Sequence, residues 1–263
     1  MTGIDEALRT SFDRNADLYD AARPSYPDAL VDEAVAGSGI PEAGRILEIG
    51  AGTGKATVAF ARRGFHILAL EPGSNMAAVL RRNVAAFPAV SIEETTFEAW
   101  RAGEATFDVV LSAQAFHWVD PAVKYVKAAA SLRRGGSLAL IRNETAGLEP
   151  GLRSELEAAY ARWFPEATWT AARDSIEPKR AEVAAEIDQS GLFGPVRTAW
   201  FPWNATYTSR QYIDLLDTHS DHALLESRFR VPLYGSIVEA IERRGGRIQV
   251  PYVAVLLLTV RND

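Results

Sequence analysis

Three glycines at alternate positions, Gly50, Gly52 and Gly54, follow the apolar run Ile46-Leu47 and the acidic residue Glu48 in the stretch EIGAGTGKAT. A backbone this bare, directly after a strand-like run, lets a ligand lie close against the chain at a strand-to-helix turn. The spacing rejects two phosphate loops. A P-loop ends in Gly-Lys-Ser/Thr after a glycine and four residues; Gly54-Lys55 fits, but position 49 is Ile and position 56 is Ala, so no hydroxyl is available for magnesium. The dinucleotide fingerprint G-x-G-x-x-G accepts Gly50 and Gly52 but asks for a small residue where Lys55 stands. Glu48 would repel a pyrophosphate and favour an ammonium or sulfonium group, because opposite charges at ~4 Å gain a few kcal/mol near a protein surface. The loop suits a cationic nucleoside better than a phosphate.

Around this loop, apolar runs alternate with helical patterns. Strands are predicted at 45–50, 65–70, 90–93, 107–112 and 137–142. Helices are predicted at 55–63, at 74–86 with Ser74 as cap, and from Pro121 with Asp120 as N-cap, the last ending at Gly135-Gly136. This β-α alternation predicts a parallel sheet with helices on both faces, and ligands of such sheets sit at the carboxyl ends of the strands near the switch point, where the glycine loop lies. Beyond Arg142 the rhythm changes. Charged helices at 149–163 and 177–189 read as an insertion or cap; a strand at 196–203, helices at 209–216 and 233–244, and a long strand at 248–260 follow. There is no internal repeat.

Composition narrows the function classes. The 263 residues suit one α/β core with a cap. Lys+Arg 28 against Asp+Glu 34 leaves a formal net charge of -6, without the basic surplus that phosphate neutralisation requires, so no nucleic-acid partner is expected. Cysteine is absent, and the four histidines lack the H-E-x-x-H spacing, so no metal site is expected. The first residues carry Asp5, Glu6 and Arg9 with no apolar h-region, and the run VAVLLLTV is too short to span a bilayer. No membrane partner and a cytoplasmic location are the expectation.

The motifs FDRNADLYDAARPSYP, ILEIGAGTGKAT, ALEPGSNM, TTFEAW, DVVLSAQAFHWVD and LRRGGSLAL occur in that order. Together they resemble the class I S-adenosylmethionine-dependent methyltransferases, and within these the small-molecule branch related to trans-aconitate methyltransferases. The motifs cover roughly residues 10–145. The resemblance implies a Rossmann-like α/β fold, a seven-stranded sheet of order 3-2-1-4-5-7-6 with strand 7 antiparallel, and a helical lid and cap. It implies a single methyltransferase domain: an N-terminal lid at 1–40, a cofactor-binding core at 41–145, cap insertions at 146–195 and 204–235, and completion of the sheet by 196–203 and 236–263.

The cofactor implied is S-adenosylmethionine, with S-adenosylhomocysteine as product. Glu48, Gly50, Gly52 and Gly54 would back its methionine end, and Glu71 would accept hydrogen bonds from both ribose hydroxyls. Thr96 and Phe97 would line the adenine, with Glu98 beside them facing either the site or solvent. Ser112 and Ala113 would pass the methionine moiety, while Tyr19 and Arg23 of the lid would contact the cofactor, Arg23 on its carboxylate. His117 is the candidate general base, and Trp118 and Arg142 the candidate acceptor contacts, Arg142 suiting a carboxylate. His219 and His222 are weaker candidates. Trp163, Trp169, Trp200, Trp203, Tyr207 and Tyr212 offer an aromatic wall for an acceptor, although core packing explains any one of them. The acceptor is expected to be a small molecule. The sequence leaves open its reacting atom, which is O, N, C or S, and the oligomeric state. Competing readings are a non-catalytic S-adenosylmethionine-binding protein and a nicotinamide-dependent oxidoreductase.

Overall fold

The buried run of Arg45–Ile49, flanked by the glycine loop, forms the first strand and fixes the sheet around it. The computed structural model of the chain describes Asp13 and residues 15–101, 106–165, 172–223 and 225–262. In chain order the elements begin α1 (Ala16–Ala22), α2 (Asp28–Ser38), β1 (Arg45–Ile49), α3 (Lys55–Ala61), β2 (His66–Leu70), α4 (Ser74–Asn83), β3 (Val90–Glu93) and β4 (Phe107–Ala113). A 3-10 turn at Phe116–Trp118 leads to α5 (Lys124–Ser131) and β5 (Leu132–Thr145). Then come α6 (Pro150–Trp163), α7 (Ala172–Ser190), β6 (Arg197–Thr208), α8 (Ser209–Asp217), α9 (Ser220–Ala223), α10 (Ser227–Glu242) and β7 (Arg247–Val260).

The strands form one seven-stranded sheet of order β3-β2-β1-β4-β5-β7-β6, as expected. Pairing is parallel from β3 through β5, with Ile46 opposite both Ile67 and Val109. β7 runs against its neighbours. The Ala146 N–H after β5 donates to the Pro251 carbonyl early in β7, whereas Arg261 after β7 donates to the Gly136 carbonyl early in β5. Reversal at this position puts both sides of β7 in hydrogen bonds, and Ala254–Leu258 is almost wholly buried.

Several predicted boundaries are corrected. Asp120 does not cap a helix starting at Pro121: its side chain accepts from the Ala122 N–H at 2.9 Å within a turn, and α5 begins only at Lys124. That helix ends at Ser131, not at Gly135-Gly136, because Leu132 already pairs with Phe107 and opens β5. Ser74 is the first residue of α4 and Gly73 its N-cap. β6 runs on to Thr208, taking 204–208 into the sheet, because Thr208 rather than an earlier turn caps α8 through a capping box with Gln211. α10 begins at Ser227 and carries Pro232 inside it.

Two compact units emerge. One comprises Met1–Pro24, Glu144–Pro178 and Pro202–Val253, the other Ser25–Asn143, Lys179–Phe201 and Ala254–Asp263. The first has its own core, where Leu156, Leu233, Ile237 and Ile241 pack with Tyr160, Tyr212 and Tyr252. In the second, Ile46, Leu47, Val110, Leu111 and Leu138 are fully buried in the central strands. Among the described residues, no helix is long and apolar enough to cross a membrane and no cluster of three or more potential ligands could hold a metal.

Candidate functional site

The glycine loop folds back onto the end of β2: the N–H groups of Gly50 and Ala51 both donate to the Leu70 carbonyl, at 2.9 and 3.0 Å. Gly50, Gly52 and Gly54 have φ of 67°, 58° and 91°, angles that a side chain resists. Their surroundings differ. A Cβ on Gly50 would lie 2.4 Å from the Ala115 Cβ, and one on Gly54 would lie 2.4 Å from the Leu80 Cδ1. Gly52 faces open space, with nothing within 4 Å. Packing therefore accounts for two of these glycines, while the bareness of Gly52 serves no neighbour in the protein.

Glu71 follows β2 and reaches back to the same loop. Its Oε2 accepts from the Gly52 N–H at 2.7 Å and its Oε1 from the Gly73 N–H at 2.8 Å. These bonds fix the carboxylate plane. An ionised carboxylate offers about four lone-pair positions, of which these two bonds take two.

Glu48 is buried at the end of β1, only 1 % exposed. Its Oε2 has no hydrogen-bond partner, and neither does the Oγ1 of Thr53 or of Thr57. Burial pushes the Glu48 carboxyl up to about 7; the Thr57 hydroxyl and N–H hold it back, and the negative charge of Glu71 adds to the rise. The Thr57 hydroxyl lies near enough to act on the charge without completing a hydrogen bond to Oε2. An unsatisfied buried polar group costs roughly 1–3 kcal/mol, so three around one loop mark a place where outside donors and acceptors are expected. With two carboxyls beside it, the loop matches a ligand bearing hydroxyls and positive charge.

Residues 46–136 match the methyltransferase domain family. An uncharacterized methyltransferase of Mycobacterium tuberculosis is 38 % identical over 143 residues, 54 % of this chain and 56 % of that protein. The chain thus spans about half the length of the curated relatives it matches first. Among solved structures, a methyltransferase assigned to an antibiotic biosynthesis pathway of Anabaena variabilis superposes with a TM-score of 0.61 at 18 % identity, over 90 % of this chain and 98 % of the other. A Haemonchus contortus phosphoethanolamine N-methyltransferase, in complex with phosphomonomethylethanolamine and S-adenosylhomocysteine, superposes with a TM-score of 0.56 at 15 % identity, over 100 % of this chain and 61 % of the other. At these identities the structures establish the fold, which is the Rossmann-like methyltransferase fold.

Within the matched region and its flanks, several predicted site residues also carry local structure. The Ser112 hydroxyl donates to the Ile49 carbonyl at 2.9 Å, tying β4 to β1, and Ala113 is half-buried at the end of β4. The Thr96 hydroxyl accepts from the Ala99 N–H at 3.1 Å and closes a turn, while Phe97 is buried against Trp100. Glu98 does not simply face solvent: its Oε1 accepts from the Asp120 N–H at 3.0 Å and anchors the segment after His117 and Trp118. His117 is exposed and Trp118 half-buried, their rings 4.9 Å apart, and Arg142 is half-buried in β5.

Tyr19 and Arg23 fall in the other unit. The Arg23 guanidinium lies 5.3 Å over the Tyr19 ring and donates through Nε and Nη2 to Thr218. The expected aromatic wall is not a single surface. Tyr207 and Tyr212 are core residues, Trp163 and Trp203 pack against that core, Trp200 is 39 % exposed in the first half of β6, and Trp169 lies outside the described residues. His222 is buried, and burial lowers the His219 imidazole well below its ordinary value, with the positive charge of Arg23 adding to the fall.

Sequence reasoning missed Thr53, Thr57, Gln114 and Thr218. The two loop threonines share no sequence periodicity, because Thr53 precedes the N-cap Gly54 while Thr57 lies in the first turn of α3. Gln114 gave no signal: a glutamine at φ 61° with its side chain on the Asn143 carbonyl at 2.8 Å is strain set by the fold.

Proposed function

We propose that the chain transfers a methyl group from S-adenosylmethionine to a small-molecule acceptor by in-line displacement. The observation that carries this reading is the glycine loop with its open Gly52 flanked by two carboxyls, Glu71 oriented and Glu48 buried with an oxygen unsatisfied. S-adenosylmethionine supplies an electrophilic methyl on a sulfonium centre. The chain's part is to hold it: Glu71 presents its remaining lone pairs to a vicinal diol, and Glu48 presents a carboxyl to an ammonium. Gly52 leaves room at the methionine end on the loop that Gly50 and Gly54 shape, Ser112 and Ala113 border it, and Thr96 and Phe97 border the base. Tyr19 and Arg23 remain in this reading as contacts of the cofactor's amino-acid end.

Catalysis then rests on holding acceptor and methyl in line and excluding water, for which no metal is required. Trp118 and Arg142 are the acceptor contacts, and an acidic acceptor of the kind taken by the trans-aconitate branch would suit Arg142. His117 serves as general base where the acceptor arrives protonated, as a phenol, amine or carbon acid does; a carboxylate acceptor needs none. The chain's relatives, named as methyltransferases, support the reaction class.

Calorimetric titration tests the binding half: S-adenosylhomocysteine binds and NAD does not. Tritium transfer from labelled S-adenosylmethionine into pooled metabolites tests the catalytic half. Binding without transfer into any pool would favour the non-catalytic alternative.

A further inference from the structure

Arg23 is a half-buried cation that has no counter-charge among the described residues. Among the described residues no carboxylate lies within ion-pair distance of it; its partners are neutral, the Thr218 hydroxyl at 2.7 Å and the Thr218 carbonyl at 2.8 Å. Its positive charge is felt by Tyr207, Tyr252 and His219. Tyr207 and Tyr252 bond one another through their hydroxyls at 3.3 Å, and burial keeps His219 uncharged. Charges withdrawn from water are ordinarily paired, and an anion on the open side of the guanidinium would complete this arrangement.

Thr218 decides how the cation is presented. It follows the last turn of α8, and its hydroxyl donates to the Leu215 carbonyl at 2.6 Å. With that proton committed, a lone pair points at Arg23. Asp217, one residue earlier, is held by the Tyr234 hydroxyl at 2.8 Å, so the end of the helix is anchored on both sides. A guanidinium has five N–H donors; Thr218 takes one from Nε and one from Nη2, which leaves the Nη1–Nη2 edge, a two-toothed match for a carboxylate.

We propose that Thr218 is a positioning residue, which locks the Arg23 guanidinium on its inner edge so that the outer edge receives a ligand carboxylate. This rests on the reading of Arg23 as a ligand contact. The carboxylate is either that of the cofactor's amino-acid end or one carried by the acceptor.

The test uses the full chain and two probes, S-adenosylhomocysteine, which has the carboxylate, and 5′-methylthioadenosine, which lacks it. Thr218→Val removes the hydroxyl at nearly constant shape and Thr218→Ser keeps it. For the cofactor's carboxylate, Thr218→Val weakens S-adenosylhomocysteine roughly 5- to 10-fold and leaves 5′-methylthioadenosine unchanged, as expected for a charge-assisted bond held less firmly. Thr218→Ser restores affinity. Arg23→Lys, which cannot span both Thr218 oxygens, gives the same loss, and the Thr218→Val/Arg23→Lys pair is no worse than either alone. For an acceptor carboxylate, all variants bind both probes normally and the pairwise pattern appears instead in the KM of the acceptor found by the transfer screen, with kcat held. Unchanged 5′-methylthioadenosine binding also reports that each variant is folded. The proposal is overturned if Arg23→Ala weakens a carboxylate ligand while Thr218→Val does not. It is also overturned if Arg23→Ala changes neither affinity nor KM; in that case the placement of Arg23 falls, while the glycine loop is judged separately by Gly52 and Glu71.

Discussion

Two buried polar clusters, one in each unit, are built on opposite plans. Around the glycine loop, Glu48, Thr53 and Thr57 each keep a buried oxygen without a partner. In the other unit, Tyr160, His222, Tyr234 and Asp217 bond one another. The Tyr234 hydroxyl gives its proton to Asp217 Oδ1 at 2.8 Å, so it accepts from His222 Nδ1 at 3.3 Å, and His222 Nε2 accepts from the Tyr160 hydroxyl at 3.0 Å. The partners thereby set the tautomer, and burial holds the imidazole below its ordinary value. A closed network gives rigidity, whereas an open one is a receptor: the cost of its missing bonds is recovered when a ligand supplies them.

The sharpest way to break this contrast lies in the glycines. Gly50→Val drives a branched side chain into Ala115 at φ 67° and is expected to cost about 3 kcal/mol or more, seen as a large fall in Tm. A Cβ added at Gly52 meets no protein atom within 4 Å, so Gly52→Val carries mainly the backbone strain, of order 1–3 kcal/mol, yet it fills the open side of the loop. Its expected phenotype is a folded protein with S-adenosylhomocysteine binding lost in calorimetry. A folded Gly52→Val that binds normally would remove the loop from the site.

That distinction between Gly50 and Gly52 was invisible in the sequence, where the glycines are equivalent. What was legible was whatever repeats locally. The β-α alternation and the position of Glu71 two residues before Gly73 were readable, because strand ends and turns announce themselves in apolar runs and glycines. The sheet order came through the resemblance, and the hydrogen bonds that reverse β7 bear it out. Long-range partners were not legible. Nothing near Gly50 announces Ala115, and nothing near Arg23 announces Thr218, 195 positions away. The helix expected at Asp120 failed for the same reason, since Glu98 holds the Asp120 N–H and lets the chain turn once more before α5.

The second effect is one of pH. The Glu48 carboxyl is raised from 4.5 to about 7 in the folded chain, so the native state holds a proton that the unfolded state has released. Its contribution is therefore fully present below about pH 4.5 and is lost as pH rises through about 7. The shift corresponds to about 3 kcal/mol at ~1.4 kcal/mol per unit. Glu48→Gln should flatten this part of the urea-denaturation profile. Binding should run the other way: affinity for the ammonium-bearing S-adenosylhomocysteine rises with pH across neutrality in the wild type and not in Glu48→Gln. A pH-independent difference between the two proteins would mean that Glu48 is already satisfied in the empty loop.

Glu71→Ala comes third. Losing hydrogen bonds to an ionised acceptor should weaken S-adenosylhomocysteine by about 1.5–3 kcal/mol. The Gly52 and Gly73 N–H groups are freed at the same time, so the loop itself relaxes. Glu71→Gln separates the two effects: its amide oxygen can still accept one of those bonds, while its amide nitrogen cannot serve a diol hydroxyl as a carboxylate oxygen does. Equal affinity of wild type and Glu71→Ala, with circular dichroism unchanged, would sink the ribose assignment.

The smallest effect should come from the closed cluster, and there it should touch stability alone. Tyr160→Phe strips the donor from His222 Nε2 and leaves a buried ring nitrogen unsatisfied, at a cost of roughly 1 kcal/mol near pH 7.5. Burial holds His222 below its ordinary 6.5 against the raising pull of Asp221 and Asp217, with Arg230 adding to the fall. The folded chain therefore resists protonation more than the unfolded one. The stabilising contribution is whole above 6.5 and is lost as pH falls from there toward the lower folded value, the reverse of Glu48. Denaturation of the wild type and His222→Gln at a series of pH values should show this slope in the first protein and not in the second. Neither His222→Gln nor Tyr160→Phe should alter S-adenosylhomocysteine affinity at pH 7.5, because both ring nitrogens of His222 and the Tyr160 and Tyr234 protons are already engaged within the network. If either variant loses affinity while keeping its Tm, the closed cluster belongs to the binding site, and the division between an open and a closed plan does not hold.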